Sequence, residues 1–314
     1  MEITQGNMAN LFTGLKGSFL DAVRDAKPPE AVADFVAQMP STTGTEKYPT
    51  AALLGDLELL LDELAMTNLG EFMQSIKNFR YERGYSIPRD HVEDDNLGMY
   101  PQFAASLGTR AATHGYRNVP NLFGNGFTTA WVDGANVFSS AHAWPGGQVW
   151  GNLDNVPLTT LGFEMVCEHL MTRMGPDGEA MGLQPTHLIV GPAYWWRAKN
   201  LITRGLVGGG NTNIHYEAVK PVKWNRLIAT AAHDWSRYWF VADASPEQPK
   251  CCVYQRRSGP EFTSRTALTD EPVFTAERFE YKGAVRYGLA VVCPWLIQAV
   301  AATEDSTTTS DSPR

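Results

Sequence analysis

The chain has 314 residues, 43% of them hydrophobic, and a formal net charge of −8. That length can bury a sizeable core, expected to be split over two lobes, and no run of 18 or more apolar residues is present to span a membrane. The acidic balance argues against a sequence-independent nucleic-acid binder, whose affinity comes mainly from Lys and Arg on phosphates.

Leu11, Leu15, Phe19 and Val23 recur at helical spacing until Pro28-Pro29 ends the pattern. A second short helix is expected at 30–38. The turn formers from Pro40 to Pro49 follow, and the whole stretch reads as an N-terminal arm docked on other parts of the chain or on another subunit. Asp56 is a candidate cap for a helix with Leu57, Leu60, Leu61, Leu64 and Met66 on one side.

The next segment alternates strictly, with Phe79, Tyr81, Arg83, Tyr85 and Ile87 on one side and Arg80, Glu82, Gly84 and Ser86 on the other. Both faces carry charge and Gly84 has no side chain to pack. A ribbon of this kind predicts an arm that lies on something else, and so a protein built to assemble. A helix is expected over 96–118, starting near Pro101, with Leu97, Tyr100, Ala104, Leu107 and Ala111 on one face. Its small residues suggest close contact with a neighbouring layer. Residues 124–151 read as Gly-rich loops with short strands.

An α/β lobe follows. Thr159 or Thr160 caps a helix carrying Phe163, Val166, Leu170 and Met174, and a turn lies at Gly175–Gly178. Leu188–Val190 is a strand, Tyr194–Ile202 a helix and Gly208–Asn211 a flexible loop. Tyr238–Ala242, Cys252–Gln255, Val273–Tyr281 and Ala284–Val292 are read as strands. Residues 303–314 have the composition of a disordered tail. The N-terminus lacks a charged start followed by an apolar core, so a secretory signal is not expected. Four cysteines without ligand spacing suit a reducing compartment.

Asp90, His91, Glu93, Asp94 and Asp95 are the densest group of potential cation ligands or acid–base residues. The alternative is an acidic helix start, favoured by the helix dipole. Asp133, Ser139, Ser140 and His142 have the residue types of a catalytic triad, without the Gly-x-Ser-x-Gly elbow. Gly208-Gly-Gly-Asn211 lacks the Lys-Ser/Thr ending of a phosphate loop. None of these amounts to an active site.

Several segments, in order, resemble one family. Ile76-Lys-Asn78-Phe79, Tyr81-Glu82 and Ile87 to Asp95 are similar to the major head subunit of Mu-like tailed phages. So are Asp133-Gly134 followed by Phe138-Ser139-Ser140-Ala-His142, Pro185 to Pro192, Gln255 to Phe262, Asp270 to Phe274, and Tyr281 to Tyr287. Leu53-Leu54-Gly55 stands where that pattern has Trp-Leu-Gly.

The resemblance implies an α+β tailed-phage capsid fold. It would comprise an N-terminal arm and first helices (1–69), an extended loop (70–95), and a spine helix with the first section of a peripheral domain (96–154). An axial α/β domain (155–249), peripheral strands (250–302) and a tail (303–314) would complete it. It implies a non-enzymatic major capsid protein without cofactor or metal, assembling with itself into hexamers and pentamers. Scaffold, portal and decoration proteins would be partners, and double-stranded DNA would be enclosed by loose contact. Assembly would take place in the host cytoplasm and the product would be a virion shell. Phe79, Tyr81, Arg83 and Tyr85 would then gain their partners from an adjacent subunit. Lys77 and Asn78, near the loop base, are not expected to crosslink. An encapsulin-like compartment shell shares the architecture. A cytoplasmic metal-dependent hydrolase using Asp90, His91, Asp94 and Asp95 is the alternative of another class.

Overall fold

The computed structural model describes residues 2–50, 72–94, 98–206, 210–267 and 269–301. The helix expected after Asp56, the Leu53–Gly55 segment, Asp95, Leu97, Gly208 and Gly209 of the expected loop, and the 303–314 tail lie outside the described residues.

Helix α1 (Gln5–Asp25) begins at Thr4, whose hydroxyl accepts the Asn7 amide, and it buries Met8, Leu15 and Phe19. The helix expected at 30–38 is one turn, α2 (Glu30–Ala33), followed by strand β1 (Val36–Pro40). Extended backbone wins there because β1 finds a parallel partner more than 200 residues away in sequence. Strands β2 (Thr45–Pro49) and β3 (Met73–Lys77) pair as an antiparallel hairpin. Strand β4 (Phe79–Pro88), short helix α3 (Arg89–Glu93) and helix α4 (Tyr100–Asn125) follow.

Helix α4 has 26 residues, about 39 Å at 1.5 Å per residue. It outruns the expected end at 118 and passes through Pro120, which removes one helix hydrogen bond without ending the helix. Small strands β5 (His142–Ala143) and β6 (Val149–Trp150) pair with each other. The α/β lobe then supplies β7 (Leu153–Asp154), α5 (Thr160–Met171), β8 (His187–Val190), α6 (Trp195–Thr203), β9 (Lys220–Lys223) and β10 (Tyr238–Ala242). Last come β11 (Cys252–Arg265), α7 (Glu271–Ala276), β12 (Arg278–Val291), a 3₁₀ turn (Pro294–Leu296) and β13 (Ile297–Ala301).

Two sheets organise these elements. One has the order β1-β11-β12-β4, the other β7-β13-β10-β8-β9. The segment Val273–Tyr281 is therefore not one strand. Pro272 sits in the first turn of α7, Glu277 ends that helix in the left-handed conformation, and β12 begins at Arg278. The expected strand at 284–292 is the second half of the same β12. Strand β13, expected among the peripheral strands, instead lies inside the α/β sheet between β7 and β10.

The reading of β4 as an arm with no partner in its own chain does not hold. Ten consecutive residues of β4 pair antiparallel with β12, from Phe79↔Tyr287 to Pro88↔Arg278. It is the edge strand of a four-stranded sheet. Its odd-numbered face carries Tyr85 beside Tyr281 and Ile87 beside Phe279, and helices α1 and α4 cover that side with Leu15, Phe19, Ala104 and Leu107. Its even-numbered face is charged because β12 answers it: Lys282 Nζ lies 2.9 Å from Glu82 Oε2, and Arg80 also pairs with Glu82. Gly84 has a physical reason as well, since a Cβ there would meet the Tyr281 carbonyl oxygen at 2.8 Å.

Helix α4 lies close to its neighbours because small residues line it. A Cβ on Gly108 would come within 2.4 Å of the Phe19 carbonyl oxygen of α1. Gly→Ala inside a helix ordinarily stabilises by about 0.8–1 kcal/mol. Gly108→Ala must instead push apart a pair of packed helices, and the expected result is a loss of about 1–3 kcal/mol. Chemical denaturation of the unassembled subunit checks this, and the sign alone is diagnostic.

Candidate assembly surface

The four residues singled out for contact sit on one edge strand but in unlike surroundings. Phe79 is 53% exposed and Tyr81 37%; Arg83 is exposed and Tyr85 half-buried. Tyr81 stacks on Tyr287 at 4.6 Å and lies 4.9 Å from the His114 ring. Tyr85 stacks on Tyr281 at 5.5 Å, and burial pushes its phenol up to about 12. Two of the four side chains therefore have ring partners within the chain. Phe79 and Arg83 are left to face outward, with the Lys77 ammonium over the Phe79 ring at 5.6 Å.

Below β4, the hairpin of β2 and β3 is locked at its base by one carboxylate. Glu46 Oε1 accepts from the Thr42 and Thr43 amides, both at 3.1 Å, and from the Ser41 hydroxyl at 3.0 Å. Hydrogen bonding, from the Thr43 amide first and then Ser41, holds this carboxyl below its ordinary value of 4.5. Asn78 is buried at the same base and donates to Ser41 Oγ and the Thr43 carbonyl, both at 2.9 Å. Its amide nitrogen is thus spent on the turn. From sequence, Asn78 was only the neighbour of Lys77; its anchoring role depends on contacts 35 and 37 residues away.

The other candidates resolve into structure. In the acidic run, Arg89 Nε pairs with Glu93 at 2.9 Å, Asp90 accepts its neighbour's amide, and His91 Nδ1 meets the Tyr100 hydroxyl at 2.7 Å. The described members of the run form a helix start tied to α4. No group of three or more His, Cys, Asp or Glu among the described residues is placed to hold a metal ion.

His142 is buried, with Nδ1 2.7 Å from Asp133 Oδ2, Nε2 3.2 Å from Asn152 Oδ1, and its ring stacked on Trp150 at 4.2 Å. Both ring nitrogens are committed. Ser139 hydrogen-bonds instead to the Ala141 backbone, and among the described residues neither Ser139 nor Ser140 hydrogen-bonds to the imidazole. Asn152 completes this knot by donating to the Val137 and Pro294 carbonyls. It carried no signal in the sequence.

Arg173 was missed too. Fully buried behind Trp150, it donates to the carbonyls of Gly151, Trp295 and Ile297 and to Gln298 Oε1. It ties α5 to β13. Burial disfavours its charge, and these oxygens offset that cost. The four cysteines are buried. Burial pushes the thiols of Cys167, to about 12, and of Cys252 and Cys293 upward, away from the thiolate that reactivity needs. These buried groups have packing roles.

Comparison with known proteins bears on the whole arrangement. A family model described as the Mu-like prophage major head subunit gpT matches residues 8–156 and 148–227. The Mu-like prophage FluMu major head subunit of Haemophilus influenzae is 28% identical over 140 residues, 45% of this chain and 45% of that protein. The major capsid protein of Escherichia phage Mu is 27% identical over 142 residues, 45% of this chain and 46% of that one. In the matched stretch the chain thus spans about half the length of these curated relatives. Among solved structures, a chain of the procapsid of bacteriophage JBD30 superposes with a TM-score of 0.56 at 22% identity. That match covers 98% of this chain and 78% of the other, a likeness of fold.

Protonation of Glu46 provides a test of the hairpin lock. Its folded pKa is depressed, so its contribution is present above its ordinary 4.5 and is lost as pH falls through the lower folded value. Amide exchange at Thr42 and Thr43 is expected to stay protected near pH 5 and to lose protection in stronger acid. Glu46→Ala should abolish that protection at neutral pH. Equal protection in the variant would remove the carboxylate from the lock.

Proposed function

Because the chain belongs to the family of Mu-like prophage major head subunits, we propose that it is a major capsid protein. It assembles with itself into an icosahedral shell of hexamers and pentamers around double-stranded DNA, without catalysis or cofactor. The observation that carries this reading is the family match over residues 8–227, joined to a capsid-subunit fold along nearly the whole chain.

The elements take these roles. Helix α1 with α2 is the N-terminal arm, docked on α4 in the subunit. The β2–β3 hairpin belongs to the extended loop, a shift from the 70–95 boundary that follows from the pairing of β4 with β12. Helix α4 is the spine, and the β1-β11-β12-β4 sheet is the floor of the peripheral domain. The sheet β7-β13-β10-β8-β9 with α5 and α6 is the axial domain. Scaffold and portal proteins, and decoration proteins where present, are its partners in the host cytoplasm, and the acidic chain holds DNA loosely.

Phe79, Tyr81 and Arg83 meet a neighbouring subunit along the edge of β4, while Tyr85 supports that edge from inside. An exposed, unpaired strand edge is a ready contact surface, and each contact can be weak because a shell repeats it many times.

Electron microscopy and light scattering of the protein, expressed with and without its neighbouring head genes, test the function. Uniform shells or capsomers are expected, and a stable monomer under both conditions would overturn it. Phe79→Glu combined with Arg83→Glu should cut shell yield at least about tenfold, since the fault recurs at every contact. The melting of the free subunit should change little. Tyr85→Ala should instead cost the subunit about 2–4 kcal/mol through lost packing, read in the same denaturation assay.

A further inference from the structure

We propose that the two ends of helix α5 are complementary docking patches, so that copies of this chain join head to tail through their α/β domains. The inference rests on the self-assembly argued above and names the surfaces that carry it.

The N-terminal end of α5 opens on a concavity of about 990 Å³, lined by Thr159, Thr160, Arg197, Arg204, Leu206 and Ile214 among others. Leu206 is 63% exposed and Ile214 80%, values no isolated subunit gains by. Arg204 is exposed and forms no ion pair among the described residues. Glu164, the acid nearest in sequence on α5, faces His215, whose Nε2 lies 2.9 Å from its carboxylate. The end is therefore apolar with a basic rim, and the positive pole of the helix points the same way.

The C-terminal end of α5 is its counterpart. Val149 is 71% exposed and Met174 53%, and both line one concavity of about 350 Å³ with Thr172 at the helix end. The adjoining turn carries exposed Asp177 and Glu179. Asp177 only accepts the Glu179 amide, and neither carboxylate has a cationic partner among the described residues. Of the basic groups at this end, Arg173 is buried and committed to backbone oxygens, and His169 lies 2.9 Å from Asp154 in the same concavity. This end thus carries two exposed apolar side chains beside a largely polar hollow, with an acidic rim at the negative pole of the helix.

Twelve residues separate the two patches, about 18 Å along the helix axis. Two different, mutually complementary patches on one subunit make a heterologous contact. Such contacts close into rings when the rotation permits. Opposed rims favour this register and oppose the reverse one, where like charges would meet.

The test uses three forms of the full chain: Arg204→Glu, Asp177→Arg with Glu179→Arg, and all three together. Ring and shell yield is read by sedimentation and electron microscopy at low salt, with thermal unfolding of free subunits as the folding control. Each partial reversal should lower yield at least about tenfold, and the triple variant should recover most of it, because charge pairing is restored at every contact. Unimpaired assembly of Arg204→Glu, or a triple variant no better than the partial ones, would overturn the pairing while leaving the capsid role intact. A wild-type chain that never assembles would overturn both.

Discussion

Strand β12 is the constraint on which the rest of the subunit depends. It is hydrogen-bonded on both sides, to β11 through a bulged ladder of eleven pairs and to β4 through ten residues in register. Its odd-numbered face is the floor for α1 and α4: a Cβ on Gly283 would touch Leu107 and Phe19 at 3.0–3.1 Å, so both helices come down on that one position. Further along, Tyr287 meets His114 Nδ1 at 2.8 Å and receives the Asn118 amide at 2.8 Å. Asn118 in turn accepts from Arg226 at 2.6 Å, in the chain between β9 and β10 of the other lobe. The same strand thus sets the sheet, seats the long helix and reaches the α/β domain.

That centrality explains which features the sequence revealed. Tyr238–Ala242 was legible to the residue because a buried strand flanked on both sides reads as a continuous apolar run. Helix α4 was legible through Ala104, Leu107 and Ala111, whose spacing is local. Strand β4 was legible as a strand but not as a member of a sheet. Its charges on both faces suggested solvent, yet Glu82 is answered by Lys282, 200 residues away. Val273 and Phe274 looked like strand residues by type. Only Pro272 and the left-handed Glu277 decide that they form a turn of helix, with Val273 buried and Phe274 exposed.

Functional residues were legible in proportion to how local their partners are. Asp133 and His142 lie nine residues apart and were rightly seen as a group, though as a knot rather than a catalyst. Asn152, which completes the knot, and Arg173, three of whose four acceptors lie more than 120 residues on, are ordinary polar residues until the chain has folded. No periodicity marks a residue whose importance comes from the backbone oxygens around it. The end patches of α5 are similar. Arg204, Ile214, Asp177 and Glu179 belong to loops without a motif and gain meaning only when the helix between them fixes their separation.

A shell subunit faces a physical conflict between folding alone and associating later. It must leave enough apolar surface for contact, but surface exposed too early traps misassembled copies. Here the aromatic side of β4 is mostly satisfied internally, through Tyr81 on Tyr287 and Tyr85 on Tyr281. Among the side chains left outward are Phe79 at a strand edge, Phe274 on α7, and Leu206, Ile214, Val149 and Met174 divided between two ends of one helix. In the proposed shell each patch, small and rimmed by charge, would give a weak and reversible contact, and mispaired rims would repel. A net charge of −8 adds a uniform barrier that only complementary geometry overcomes. Closure of the proposed shell would supply through repetition the stability that no single contact has, and errors could be undone before it completes.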